Sequence, residues 1–81
     1  MSVKETVRQF MTKNFYIPDP SKLTDELSFL ESGIIDSTSV LELTAFLEQR
    51  FEIQVADDEL LPENLDSLAR VESFVDRKRK G

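Results

Sequence analysis

The sequence contains neither cysteine nor histidine among its 81 residues. The first absence excludes a disulfide framework, a thiolate nucleophile and any cysteine-based metal site. The second removes the commonest general base and, with the first, the usual zinc and iron ligands. A catalyst built on this chain would have to work with carboxylates, lysine, tyrosine and hydroxyls, and an independent enzyme is not expected. No apolar run approaches membrane-spanning length, and Met1 to Arg8 lack the long apolar core of a signal peptide, so the expected location is the cytoplasm. Repeats, low-complexity stretches and a glycine-rich phosphate loop are missing too. The acidic group Asp57, Asp58 and Glu59 lacks the alternating ligands and central glycine of a calcium loop, and reads instead as a solvated helix start or a docking patch.

What is present describes one small globular domain over residues 1–81. Hydrophobic residues make up 40% and charged residues 32% of the chain, too apolar a balance for disorder. The net charge of −6 is unevenly spread. Arg77, Lys78, Arg79 and Lys80 hold four of the ten cations, leaving six cations against sixteen carboxylates over residues 1–76. So acidic a body disfavours nucleic acid, whose affinity comes from cations neutralising phosphates, and favours docking onto basic patches of other proteins. The basic tail at about 77–81 reads as a solvated, frayed end whose charge suits a helix C-terminus.

Hydrophobic periodicity predicts an all-α bundle of three main helices and one short one, with a long first loop lying across it. The first helix is expected from about Val3 to Phe15, opened by a capping box of Ser2 and Glu5 and stopped by Pro18 and Pro20. Its stripe of Val3, Val7, Phe10, Met11 and Phe15 faces a core. The connection to Asp36 exceeds twenty residues, but Leu23, Leu27, Phe29, Leu30, Ile34 and Ile35 are too many apolar side chains for a solvated linker. It should fold back over the bundle, with a short helical turn near Thr24 to Leu27. A second helix is expected from Ser37 to Arg50, burying Val40, Leu41, Leu43 and Leu47. Phe51, Ile53 and Val55 then plug the core from an extended linker. A small third helix capped by Asp57 should end at Pro62, and a last helix should bury Leu68, Val71, Phe74 and Val75 behind a cap at Asp66 or Ser67.

The chemically pointed stretch lies in the middle. Gly33 can turn the chain, Ile34 and Ile35 can pin the loop to the core, and Asp36 and Ser37 then stand at a helix mouth. Helix N-termini present N–H donors and partial positive charge, so a phosphate esterified to a serine there would meet favourable electrostatics. The plain alternative is that Asp36 or Ser37 is only an N-cap. A second Asp-Ser pair, Asp66 and Ser67, has no glycine turn before it and reads as the cap of the last helix.

The run Gly33-Ile34-Ile35-Asp36-Ser37, followed by Val40-Leu41-Glu42-Leu43 and Phe46-Leu47-Glu48-Gln49-Arg50-Phe51, closely resembles the modification site and second helix of acyl carrier proteins. The likeness extends from about Phe29 to Val75. It implies that Ser37 bears 4′-phosphopantetheine through a phosphodiester, and that the arm's thiol holds an acyl or aminoacyl group as a thioester. It also implies docking through Asp36, Glu42 and Glu48, with Asp57 and Asp58 as a further acidic patch. The implied partners are a phosphopantetheinyl transferase, an acyl- or aminoacyl-activating ligase and downstream transferases, met by a monomer that binds neither nucleic acid nor membrane. Members devoted to fatty acids usually have leucine after the serine and more acids on the helix, where this chain has Thr38, Ser39, Gln49 and Arg50. That difference points to a carrier dedicated to one pathway. The rival reading is a non-catalytic helical interaction module with an acidic docking face.

Overall fold

Helix α1, Val3–Asn14, forms where the sequence places apolar residues on one stripe, and Val3, Val7 and Met11 along it are buried. The structure is a computed structural model that describes residues 3–15, 17 and 19–80. The expected Ser2 cap and Pro18 stop lie outside the described residues, as does Gly81. After a 3₁₀ turn at Pro20–Lys22 the chain forms a four-residue helix α2, Phe29–Ser32, and then α3, Ser39–Phe51. A second 3₁₀ turn at Asp57–Glu59 precedes the short α4, Pro62–Leu65, and the long α5, Leu68–Lys80. All the regular secondary structure among the described residues is thus helical, with three long helices, as the periodicity predicts.

The core sits where α5 packs against α1, α3 and α4. Val71 and Val75 of α5 and Leu43 and Leu47 of α3 have no exposed surface, and Phe74 is 2% exposed. Burying each such side chain stabilises the fold by about 1.5–3 kcal/mol. Phe10 of α1 stacks on Phe46 of α3 with ring centroids 4.1 Å apart, closing the seam between those helices.

The long first loop does fold back. Leu23, Phe29 and Ile35 are buried, whereas Leu27 and Ile34 are only half-buried and Leu30 is exposed. Its outer half is clasped by α1. Lys4 Nζ donates to Asp25 Oδ2 at 3.0 Å, Arg8 lies 3.5 Å from Asp25 Oδ1, and the Arg8 guanidinium also donates to the Leu23 carbonyl. The Asp25 carbonyl accepts from Ala69 N–H at 3.0 Å, joining the loop to the start of α5. The expected helical turn at Thr24 to Leu27 is only a turn. The helix forms later because Ser28 Oγ caps it by accepting from Glu31 N–H at 3.1 Å.

Three further boundaries differ from expectation. Phe51 is the last residue of α3, not part of the linker; the chain leaves the helix at Glu52, which adopts φ 57°. Pro62 opens α4 instead of ending the preceding turn, since a first-turn residue needs no N–H partner. The turn before it is capped not by Asp57 but from the other side, by Glu59 Oε1 accepting from Ala56 N–H at 2.9 Å. Nor is the basic tail frayed: residues 77–80 continue α5, Lys78 Nζ donates to Glu59 Oε1 at 2.8 Å, and Arg77 donates to Asn64 Oδ1 at 2.9 Å.

Candidate functional site

Gly33 takes the left-handed conformation, φ 79°, that closes α2, and its N–H donates to the Leu30 carbonyl at 3.2 Å. The chain then reverses, and Ile35, 2% exposed, anchors it while its N–H donates to the Phe29 carbonyl at 3.2 Å. With Ile35 pinned inward, Asp36, Ser37 and Thr38 emerge as an exposed shoulder leading into α3.

On that shoulder Asp36 is the capping group. Its Oδ1 accepts from Thr38 N–H at 3.0 Å and from Ser39 N–H at 2.7 Å. These contacts, led by the Ser39 N–H and then the Ser39 side chain, lower the Asp36 pKa below the ordinary carboxylate value. They also explain why α3 starts at Ser39 and not at Ser37. The Asp36 carbonyl takes Val40 N–H and the Thr38 carbonyl takes Leu41 N–H, each at 3.1 Å. Every helix-mouth donor from Thr38 to Leu41 is therefore engaged, two by the Asp36 carboxylate and two by backbone carbonyls, so none of those N–H groups is left for a phosphate. The Ser37 hydroxyl is exposed and has no hydrogen-bond partner among the described residues.

Beside Ser37 opens a cleft of about 270 Å³ that the sequence reading did not foresee. Its walls are Phe29 and Leu30 of α2, Val40 and Leu41 of α3, and Leu60, Leu61 and Leu65 around α4, with Ser37 and Asp66 as polar members. Leu41, expected in the core, is 55% exposed on the rim, with Leu30 at 39% and Leu61 at 41%. Helical spacing could have suggested this: Leu41 is two residues from Leu43, about 200° round the helix, so one of the pair must point away from the core.

The second Asp-Ser pair behaves differently. Ser67 is 3% exposed, its Oγ accepts from Arg70 N–H at 3.2 Å, and its carbonyl accepts from Val71 N–H at 2.9 Å, so it caps α5. Asp66 turns the other way, toward α2. Of the acids expected to dock partners, Asp36, Glu42, Asp57 and Asp58 are exposed. Glu48 is half-buried, and its Oε2 accepts from Val55 N–H at 3.0 Å, which ties the linker to α3.

An exposed, unpartnered hydroxyl at the edge of an apolar cleft fits a tethered prosthetic group. Comparison with known proteins agrees. Residues 5–75 match the family described as "Phosphopantetheine attachment site". The chain is 35% identical to an "Acyl carrier protein homolog" from Mycoplasmopsis pulmonis over 99% of this chain and 100% of that protein. It is 33% identical to a "D-alanyl carrier protein" from Streptococcus suis, covering 93% of this chain and 92% of that one. An "Acyl carrier protein" from Brachyspira hyodysenteriae matches at 26% identity over 99% and 100% of the two chains. The protein belongs to the acyl carrier protein family, whose members carry phosphopantetheine and are carriers, not catalysts.

Proposed function

We propose that Ser37 bears the phosphopantetheine arm and that residues 1–81 act as one freestanding carrier domain, presenting an apolar acyl group to the enzymes of a dedicated pathway. The observation that carries this reading is the pairing of an exposed Ser37 hydroxyl with the apolar cleft beside it, while the alternative serine, Ser67, is buried and occupied as a cap. The arm's contribution when bound is a terminal thiol on which the load is held as a thioester.

The chain's own residues do the rest. Gly33 and Ile35 fix the shoulder so that the Ser37 oxygen faces solvent, where a phosphopantetheinyl transferase can reach it. Asp36 stiffens that shoulder by holding two N–H groups, and its charge, with Glu42, Asp57 and Asp58, gives a basic partner its electrostatic cue. The rim leucines shield an apolar load from water by burying its methylenes, each worth about 0.8 kcal/mol. Holding the load on a tether raises its concentration at the partner and keeps the intermediate from being lost, while the chemistry stays in the partner enzymes. We place this activity in the cytoplasm, with a monomeric carrier and an activating ligase and downstream transferases as its partners.

The likeness to a D-alanyl carrier favours a second reading, in which the load is aminoacyl and leaves the cleft unused. Coexpression with a phosphopantetheinyl transferase followed by intact-mass measurement tests the site: the wild-type chain gains the arm and Ser37→Ala does not. Loading the modified chain with octanoyl or alanyl groups then tests the load. Amide shifts at Leu41, Leu61 and Leu65 on octanoylation alone support the apolar reading. Equal silence of those residues in both forms overturns it.

A further inference from the structure

The α2 wall of the apolar cleft is held in place largely by one of the cleft's two polar members. Helix α2 is four residues long, too short to persist by its own hydrogen bonds. Asp66, at the end of α4, reaches it through three groups. Its Oδ1 accepts from Leu30 N–H at 2.9 Å, its Oδ2 accepts from the Ser28 hydroxyl, and its backbone carbonyl accepts from Phe29 N–H at 2.7 Å. The Ser28 contact does double duty. By taking the hydroxyl proton, Asp66 leaves the Ser28 oxygen lone pairs facing Glu31 N–H, the bond that caps α2. Phe29 adds a buried side chain, but Leu30, the residue that forms the rim, is 39% exposed and has little packing of its own to hold it.

We infer that Asp66 is a positioning residue that sets the width of the cleft, and thereby the length of apolar chain the protein can shelter. This rests on the reading that the load of Ser37 lies in that cleft. A chain too long for the existing cleft must part α2 from α4, because Leu30 stands on one side and Leu61 and Leu65 on the other. Parting them lengthens the two side-chain bonds of Asp66 first. Bonds to an ionised carboxylate are stronger than neutral ones and lose strength steeply with distance, so they act as a stop. With the carboxylate gone, α2 stays attached through Phe29 alone, by its buried ring, its N–H donating to the Asp66 carbonyl and its carbonyl accepting from Ile35 N–H, and Leu30 can swing outward about Phe29.

The test uses the unmodified full chain and a series of straight-chain alcohols from butanol to decanol, with binding followed by amide shifts at Leu41 and Leu61. Each methylene that finds room adds about fourfold to affinity, and the gain stops when the cleft is full. In Asp66→Ala the chain length at which the gain stops moves upward by at least one methylene, so the longest alcohols bind about fourfold or more tighter than to wild type. Hydrogen exchange at Leu30 and Glu31 rises about tenfold relative to Leu47 and Val71, whose amides report global opening. Ser28→Ala, which cuts only the hydroxyl relay, gives the smaller change in the same direction and stands in if Asp66→Ala does not fold. Asp66→Asn keeps an acceptor for Leu30 N–H and restores part of the wild-type limit. An unchanged chain-length limit in folded Asp66→Ala or Ser28→Ala overturns the inference, as does a series that never binds at Leu41 and Leu61. Because no arm is present, failure of Ser37 to be modified would sink the proposed attachment site without altering these readings.

Discussion

Replacing each of the two Asp-Ser serines in turn should separate attachment from architecture. Ser67→Ala removes a hydroxyl that is 3% exposed and that accepts from Arg70 N–H at 3.2 Å, leaving one first-turn donor of α5 without a partner. Loss of such a cap costs about 1 kcal/mol. The cost should appear in global stability, because α5 is the helix that touches α1, α3 and α4, and cannot fray without opening the core. For a domain this small, about 1 kcal/mol lowers Tm by roughly 4–8 °C. Urea unfolding followed by circular dichroism should show a lower midpoint with the same slope, and coexpression with a phosphopantetheinyl transferase should leave the variant fully modified. Ser37→Ala should show the opposite pair of results. Its hydroxyl has no partner among the described residues, so its stability should stay within about 0.5 kcal/mol of wild type, while modification is abolished. Modification that survives Ser37→Ala, or that disappears in folded Ser67→Ala, would refute the argument.

Three other outcomes are expected. Phe29→Ala, at a ring 1% exposed that anchors both the first loop and the cleft, should cost about 3–5 kcal/mol, comparable with the stability of a domain of this size, and urea melts should show a largely unfolded or barely folded chain. Gly33→Ala should cost about 1–2 kcal/mol from backbone strain alone, because φ is 79° and no atom beyond its two chain neighbours lies within 4 Å of an added Cβ; a neutral effect on the urea midpoint would contradict the left-handed turn. Asp36 and Glu59 have folded pKa values below their ordinary 3.8 and 4.5, through the Ser39 N–H and through the Lys78 hydrogen bond respectively. Their contribution is therefore present above those ordinary values and is lost as pH falls through the lower folded ones. Urea midpoints should hold down to about pH 5 and decline below 4.5, with Asp36→Asn and Glu59→Gln each flattening the decline; a wild-type midpoint constant from pH 5 to 3 would count against both contacts.

The three long helices were legible because each carries enough apolar residues at helical spacing to mark one face, and the burial of Val7, Met11, Leu47 and Val71 follows that spacing. The turn at Gly33 and the cap role of Ser67 were legible for local reasons, a positive φ and a hydroxyl before an apolar run. Helix α2 was not, because four residues make little more than one turn and what holds them is Asp66, far along the chain. Pattern reading sees neighbours in sequence and not that bond. The start of α3 was misplaced by two residues because Asp36 and Ser37 are equally good caps on paper; only geometry shows that the Asp36 carboxylate takes the donors and leaves Ser37 outward. Glu48 looked like another surface acid, yet the left-handed exit at Glu52 brings Val55 N–H within its reach. The cleft itself arises from three segments that meet only in the fold, so no window of sequence contains it.

The bracing of the 3₁₀ turn by the last helix has a practical side. Glu59 holds both the Ala56 N–H and the Lys78 ammonium, and Asn64 links the Glu59 carbonyl to the Arg77 guanidinium. Leu60 and Leu61, which follow that turn directly, form one lip of the cleft. Trimming the chain at residue 76, or fusing a bulky neighbour that pulls Lys78 away, would loosen that lip from a distance. On the proposed reading of the cleft, a tagged or shortened version of this carrier would hold its load differently with every residue near Ser37 untouched.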